Sequence, residues 1–269
     1  MQALLLLVPL LTGIFGMLIY RFQDGKKQLF KLDLVQFIYL FVMSPALFVW
    51  LKTFLFYLLR NELDLSLTIN DVFVIDTVYS IGGFYLFGAI SMHTLTKTFW
   101  LRRHHDPEFD IYHLSEYFHL WWTHLAMTTG VMAMISFLSL NNAFFPIDIY
   151  MPKVYLFGVL LLGLIMGVVG FFAVWMADSE QGNFMKLMKI EFAFFFLLHI
   201  IVYFVFNPEF NSQRSLYWLF MATFFSLSVC SLFFERHEKI NKIRQLMLHV
   251  GWGDNKGIKL FEQVKKKRK

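Results

Sequence analysis

Cysteine is almost absent: Cys230 is the single one in 269 residues. That excludes an internal disulfide framework and any cysteine-rich metal site. Charge is scarce as well. Charged residues make up 16% of the chain, against roughly 25% in soluble domains. Short catalytic signatures are missing: the sequence has no H-E-x-x-H, no G-x-S-x-G and no phosphate-binding glycine loop. It has no visible internal repeat and no linker that would divide it.

What it has instead is apolar length. Hydrophobic residues are 58% of the chain and Phe alone occurs 34 times. A soluble core has no use for so much apolar surface, so the expected solvent is a lipid bilayer. A spanning helix needs about 20 mostly apolar residues. Seven stretches qualify: Gln2–Tyr20, Val35–Leu59, Val72–Leu101, Leu114–Leu140, Val154–Ala177, Ile190–Phe206 and Ser215–Phe234. The first lacks a basic n-region and a small-residue cleavage site, so it reads as a retained helix rather than a signal peptide.

Lys and Arg gather in alternate loops. The first loop holds Arg21, Lys26, Lys27 and Lys31, the third Lys97, Arg102 and Arg103, and the fifth Lys186 and Lys189. The second, fourth and sixth hold only Arg60, Lys153 and Arg214. The residues after Glu235 hold eleven. Cytoplasmic loops carry the positive excess. The expected fold is therefore all-α and integral to the membrane, a seven-helix bundle with its N-terminus outside and its C-terminus inside. Residues 1–234 form the membrane domain and residues 235–269 a short cytosolic basic tail.

In that tail Ile240, Ile243, Met247 and Val250 recur at helical spacing among Lys239, Lys242 and Arg244. This reads as an amphipathic helix on the inner leaflet, with Lys265, Lys266, Lys267, Arg268 and Lys269 drawn to anionic headgroups. A solvated topogenic tail is the simpler alternative. The net charge of +5 thus belongs to one tail, and the expected partner is the bilayer, not nucleic acid. A K-K-x-x retrieval signal is a nearly free match in such a lysine run, so a bacterial inner membrane is expected over the endoplasmic reticulum.

Seven spans invite comparison with known seven-helix classes. The third span closes on "WLRRHH" without D-R-Y. The seventh, "SLYWLFMATFFSLSVCSLFF", has no N-P-x-x-Y, no Lys for a retinal Schiff base and no His pair. Rhodopsin-like receptors, microbial rhodopsins and the seven-span ceramidase-type hydrolases are excluded on those residues.

The polar exceptions are histidines. Five of the nine fall in "HHDPEFDIYHLSEYFHLWWTH", residues 104–124. At 100° per residue, with His113 as zero, His124 falls at about 20°, Glu116 at about −60° and His119 at about −120°. Glu116 and His119 form one E-x-x-H pair, the spacing that di-iron bundles use twice over with two further Glu. A single pair is a weak signal, and hydrogen bonding near the headgroups is the simpler reading of the His113, Glu116, His119 cluster. His93, His124 and His199 stand out for another reason. Counted from the basic residues at the inner ends of their helices, each lies about 13–17 Å deep at 1.5 Å per residue, near the midplane of a 30 Å core. Ionisable residues at that depth point to function by default. Three neutral imidazoles suit a transition metal, two suit a b-type haem, and any of them can relay protons. The plain alternative is that each bonds separately to a neighbouring helix.

The leading expectation is a membrane protein with an intramembrane histidine site for a metal or haem, linked to redox chemistry. The runner-up is a non-catalytic subunit or scaffold with structural histidines, associated with other membrane subunits or with a second copy. A transporter of a small or lipidic substrate comes third. Gly163 and Gly167 form a small-xxx-small pair for close helix packing, within the bundle or across a dimer. Pro45 is expected to kink the second span. Lys52 and Asp76 either pair or snorkel separately.

Overall fold

The computed structural model describes residues 2–23, 26–30, 32–60, 62, 66–101, 118–148, 150–176 and 184–233. Helix α1 is Gln2–Gln23. A two-stranded hairpin follows, β1 (Gln28–Leu29) antiparallel to β2 (Leu32–Asp33). Its turn includes Phe30 at φ 50. Helix α2 covers Leu34–Leu59, α3 Ile69–Leu101, and α4 a π-helical turn Phe118–Thr123 that runs into His124–Phe144. Helices α5, α6 and α7 are Lys153–Met176, Phe184–Phe206 and Ser215–Phe233.

Among the described residues six helices, α2 to α7, are long and apolar enough to cross a membrane. The fold is all-α and membrane-like. Its outer surface is greasy rather than charged: Phe73, Phe84 and Phe204 are each more than 70% exposed. In water such a surface would drive aggregation, and in lipid it is the expected exterior.

Helices α4 and α7 form the inside of the bundle. About half of the α7 span is buried, against 11% of α3. The reason is composition. Ser139 and Asn142 on α4 and Ser226 on α7 are buried and bond to neighbouring helices, partners that lipid could not offer them. Helix α5 lies closely along α7. A Cβ on Gly163 would strike the Leu219 carbonyl, and one on Gly167 would strike Ser226 Oγ and the Thr223 carbonyl. The two glycines thus serve packing within this chain. On α3, Gly82 and Gly83 admit the side chains of Met134 and Phe48, whereas Gly88 faces open space.

Two helix starts and one winding depart from the spans read off hydropathy. Helix α3 begins three residues early because Thr68 and Asp71 form a reciprocal cap. Asp71 Oδ2 accepts the Thr68 N–H at 2.8 Å, and Thr68 Oγ1 accepts the Asp71 N–H at 3.3 Å. This is a capping box with Asp in the acidic place. Helix α6 begins six residues early, taking Lys186 and Lys189 into its first turns. Helix α2 winds through a π turn, Tyr39–Met43, one residue before Pro45. Pro45 has no N–H for the Phe41 carbonyl and its ring crowds that carbonyl. The wider turn relieves the clash, and Ser44 Oγ donates to the Tyr39 carbonyl at 2.8 Å.

At the far end, Asn142 ties α4 to α7. Its Oδ1 accepts the Leu216 and Tyr217 N–H groups at 3.1 and 3.2 Å. These are first-turn donors of α7 that no intrahelical carbonyl can reach. Lys52 and Asp76 form an ion pair, with Lys52 Nζ also donating to Ser80 Oγ at 2.8 Å. They pair, therefore, rather than snorkel separately.

Candidate metal centre

His93 lies on α3, and His119 and His124 lie on α4. Their imidazoles meet. Ring centroids are 4.4 Å apart for His93–His119, 5.2 Å for His93–His124 and 5.4 Å for His119–His124. Each offers a ring nitrogen, and these three atoms lie within 4.8 Å of one another. His93 Nε2 and His124 Nε2 are 3.3 Å apart.

The π turn is what brings His119 in. On a regular helix, residues five apart diverge by about 140° at 100° each, so His119 and His124 would face different neighbours. A π turn closes on residues five apart instead of four. Winding Phe118–Thr123 that way swings His119 back toward the face of His124. Thr123 Oγ1 donates to the His119 carbonyl at 2.7 Å and helps satisfy the widened turn.

A second layer surrounds the imidazoles. Gln36, on the first turn of α2, is 1% exposed, and its Oε1 accepts from His93 Nδ1 at 3.1 Å. Asp33 holds that turn in place: its Oδ2 accepts the Val35 N–H at 3.0 Å and the Gln36 N–H at 3.4 Å. Lys97, one turn beyond His93, is buried, with Nζ 4.9 Å from the Tyr20 ring centroid. The site thus joins α2, α3 and α4, with α1 beside it.

His199 is elsewhere, which corrects the grouping of His93 and His124 with His199 by depth. Its Nε2 lies 2.9 Å from Ser139 Oγ. Ser139 is 15 residues past His124, about 22 Å along α4 at 1.5 Å per residue. Part of the difference comes from α6 reaching back to Phe184, which puts His199 15 residues along its helix rather than ten, about 7 Å deeper at 1.5 Å per residue. His199 Nδ1 faces the Phe195 carbonyl at 2.8 Å. A carbonyl only accepts, so the proton is on Nδ1 and the Ser139 hydroxyl donates to Nε2. That is the polarity of a nucleophile and its base. Both residues, however, are 0% exposed, and Tyr217 closes over the ring at 5.8 Å while its hydroxyl donates to the His199 carbonyl at 2.8 Å. His199 is a bolt between α4, α6 and α7.

His113, Glu116 and the basic residues Lys265, Lys266, Lys267, Arg268 and Lys269 lie outside the described residues. His119, read from sequence as part of a headgroup cluster with His113 and Glu116, is a member of the triad. Gln36 was missed. A lone Gln near the start of an apolar span carries no period or motif that would single it out.

Two cavities among the described residues lie apart from the triad. One, of about 300 Å³, is an apolar groove between α3 and α4 beside Gly82 and Gly130. The other, of about 280 Å³, opens between α2 and α3 beside Phe56 and Asp76. No family model matches the chain, and no curated protein or solved structure matches it.

Proposed function

We propose that this membrane protein binds a single transition-metal ion through His93, His119 and His124. The observation that carries the reading is the 3.3 Å separation of His93 Nε2 and His124 Nε2. Two nitrogens about 2.0–2.1 Å from a tetrahedral ion stand about 3.3–3.4 Å apart, so two of the three ligands already have the spacing of a loaded site. His119, within 4.8 Å of both, closes the third position by a small ring rotation. Three protein ligands leave a fourth position for water or substrate. Imidazole donors suit both zinc and copper, and only copper would make the site redox-active. A b-type haem fits less well. It needs two imidazoles on opposite sides of a wide macrocycle, whereas these rings converge within 5.4 Å of one another.

The test is elemental analysis of the full chain, purified in detergent and loaded with Zn²⁺ or Cu⁺. About one ion per chain is expected for the wild type and for His199→Gln. His93→Gln, His119→Gln and His124→Gln are expected to bind little. A wild type that stays metal-free after loading ends the proposal.

The same 3.3 Å contact also fits an N–H···N hydrogen bond. It therefore supports a second reading, a non-catalytic membrane subunit whose histidines only tie helices together. Metal-free wild-type protein would leave that reading in front.

The proposal extends to topology. With α1 as a seventh span, the alternation of basic loops sets the N-terminus outside and the triad toward the cytoplasmic side. Cysteine-accessibility labelling is expected to mark position 148 from outside and position 106 from inside. External labelling at 106 overturns the arrangement.

A further inference from the structure

A metal-ligating histidine has two nitrogens, and the group bonded to one decides the role of the other. His93 is the only triad member on α3, and its ring is held from a different helix. Gln36 Oε1 sits 3.1 Å from His93 Nδ1. On the other side of the ring, Nε2 faces His124 Nε2. Gln36 itself is fixed at both ends. Its backbone N–H is bonded to the buried carboxylate of Asp33, at the end of the β1–β2 hairpin. Its side chain is enclosed, so exchanging the amide for water is not open to it.

We infer that Gln36 is the positioning residue of the metal site: by accepting the Nδ1 proton of His93 it presents the bare Nε2 to the point where the three imidazoles meet. The inference rests on the metal reading for its consequence but not for its geometry. A neutral amide is a specific choice. It fixes the tautomer as a carboxylate would, without setting a second carboxylate beside the buried one of Asp33. The chain of support runs from Asp33 through the first turn of α2 to Gln36, and from there to His93. The hairpin before α2 thereby acquires a purpose: it sets where α2 begins, and so where the amide points.

Two measurements on the full chain in detergent test this. The first is the ¹⁵N spectrum of histidine-labelled, metal-free protein, with the His93 signals assigned by their loss in His93→Gln. Wild type is expected to carry its His93 proton on Nδ1, and Gln36→Leu to show a mixture of tautomers. The second is competition for Zn²⁺ and Cu⁺ against a chromophoric chelator. Loss of an outer-sphere partner typically weakens metal binding 10–100-fold, and that loss is expected for Gln36→Leu. Gln36→Glu keeps an acceptor and is expected to bind Zn²⁺ at least as tightly as wild type, a rescue that a purely structural role would not produce. A His93 proton on Nε2 in the wild type would mean that Gln36 donates instead, and overturns the inference. So does a Gln36→Leu protein with unchanged tautomer and unchanged affinity. If wild type binds neither ion while its His93 tautomer still follows Gln36, the metal proposal fails and the positioning role stands.

Discussion

At a free Zn²⁺ or Cu⁺ concentration 100 times the dissociation constant, the wild-type chain is expected to gain about 2.7 kcal/mol against unfolding. The gain follows from mass action alone, since the three ligands are brought together only in the folded bundle. His93 comes from α3, and His119 and His124 from two turns of α4 that meet only through a π winding. Each single change, His93→Gln, His119→Gln or His124→Gln, is expected to abolish most of that gain. A double change should remove little more, because residues sharing one partner are not additive. His199→Gln is the informative contrast. Its ring nitrogens bond to Ser139 and Phe195, so it should lower stability with and without metal alike and leave the metal-dependent rise intact. The measurement is the unfolding temperature of each variant in one detergent, with and without ion. An equal metal-dependent rise in wild type and His93→Gln would defeat the site.

Gly167→Val is expected to lose about 3 kcal/mol, the upper end of what overpacking a filled interface costs. The Cβ alone would collide with Ser226 Oγ and the Thr223 carbonyl, and Leu227 N lies 3.2 Å away. Two of these are backbone atoms that no rotamer change can move. Helices α5 and α7 would have to part, and with them would go the bond from Ser226 Oγ to the Leu164 carbonyl at 2.8 Å. Gly158→Ala, on the same helix, meets nothing within 4 Å. It should be neutral or stabilising by up to about 1 kcal/mol, from helix propensity. Equilibrium unfolding in mixed micelles gives both values. An unfolding midpoint for Gly167→Val equal to that of wild type would show that the two helices do not pack as described. Because the contact lies within one chain, the loss should not depend on protein concentration, as a dimer contact would require.

The sequence by itself determined the solvent, the helical class and the approximate spans. Those rest on apolar length and on the need of every backbone group for a partner in lipid, and both are one-dimensional properties. It also isolated the residues worth attention, because a histidine stands out against so much Phe and Leu. The sequence could not say which histidines meet. That depends on where each helix starts and how it is wound. Thr68 and Asp71 moved one start, α6 took in six extra residues, and a π turn rotated His119 onto the face of His124. A shift of one residue turns a side chain by about 100°, so small changes at helix ends decide which imidazoles converge. Depth can be counted along a chain, but rotation is set by what packs against the helix. Only the tertiary structure therefore separated His199, bolted to Ser139 and Tyr217, from the triad of His93, His119 and His124, and only it placed Gln36 behind them.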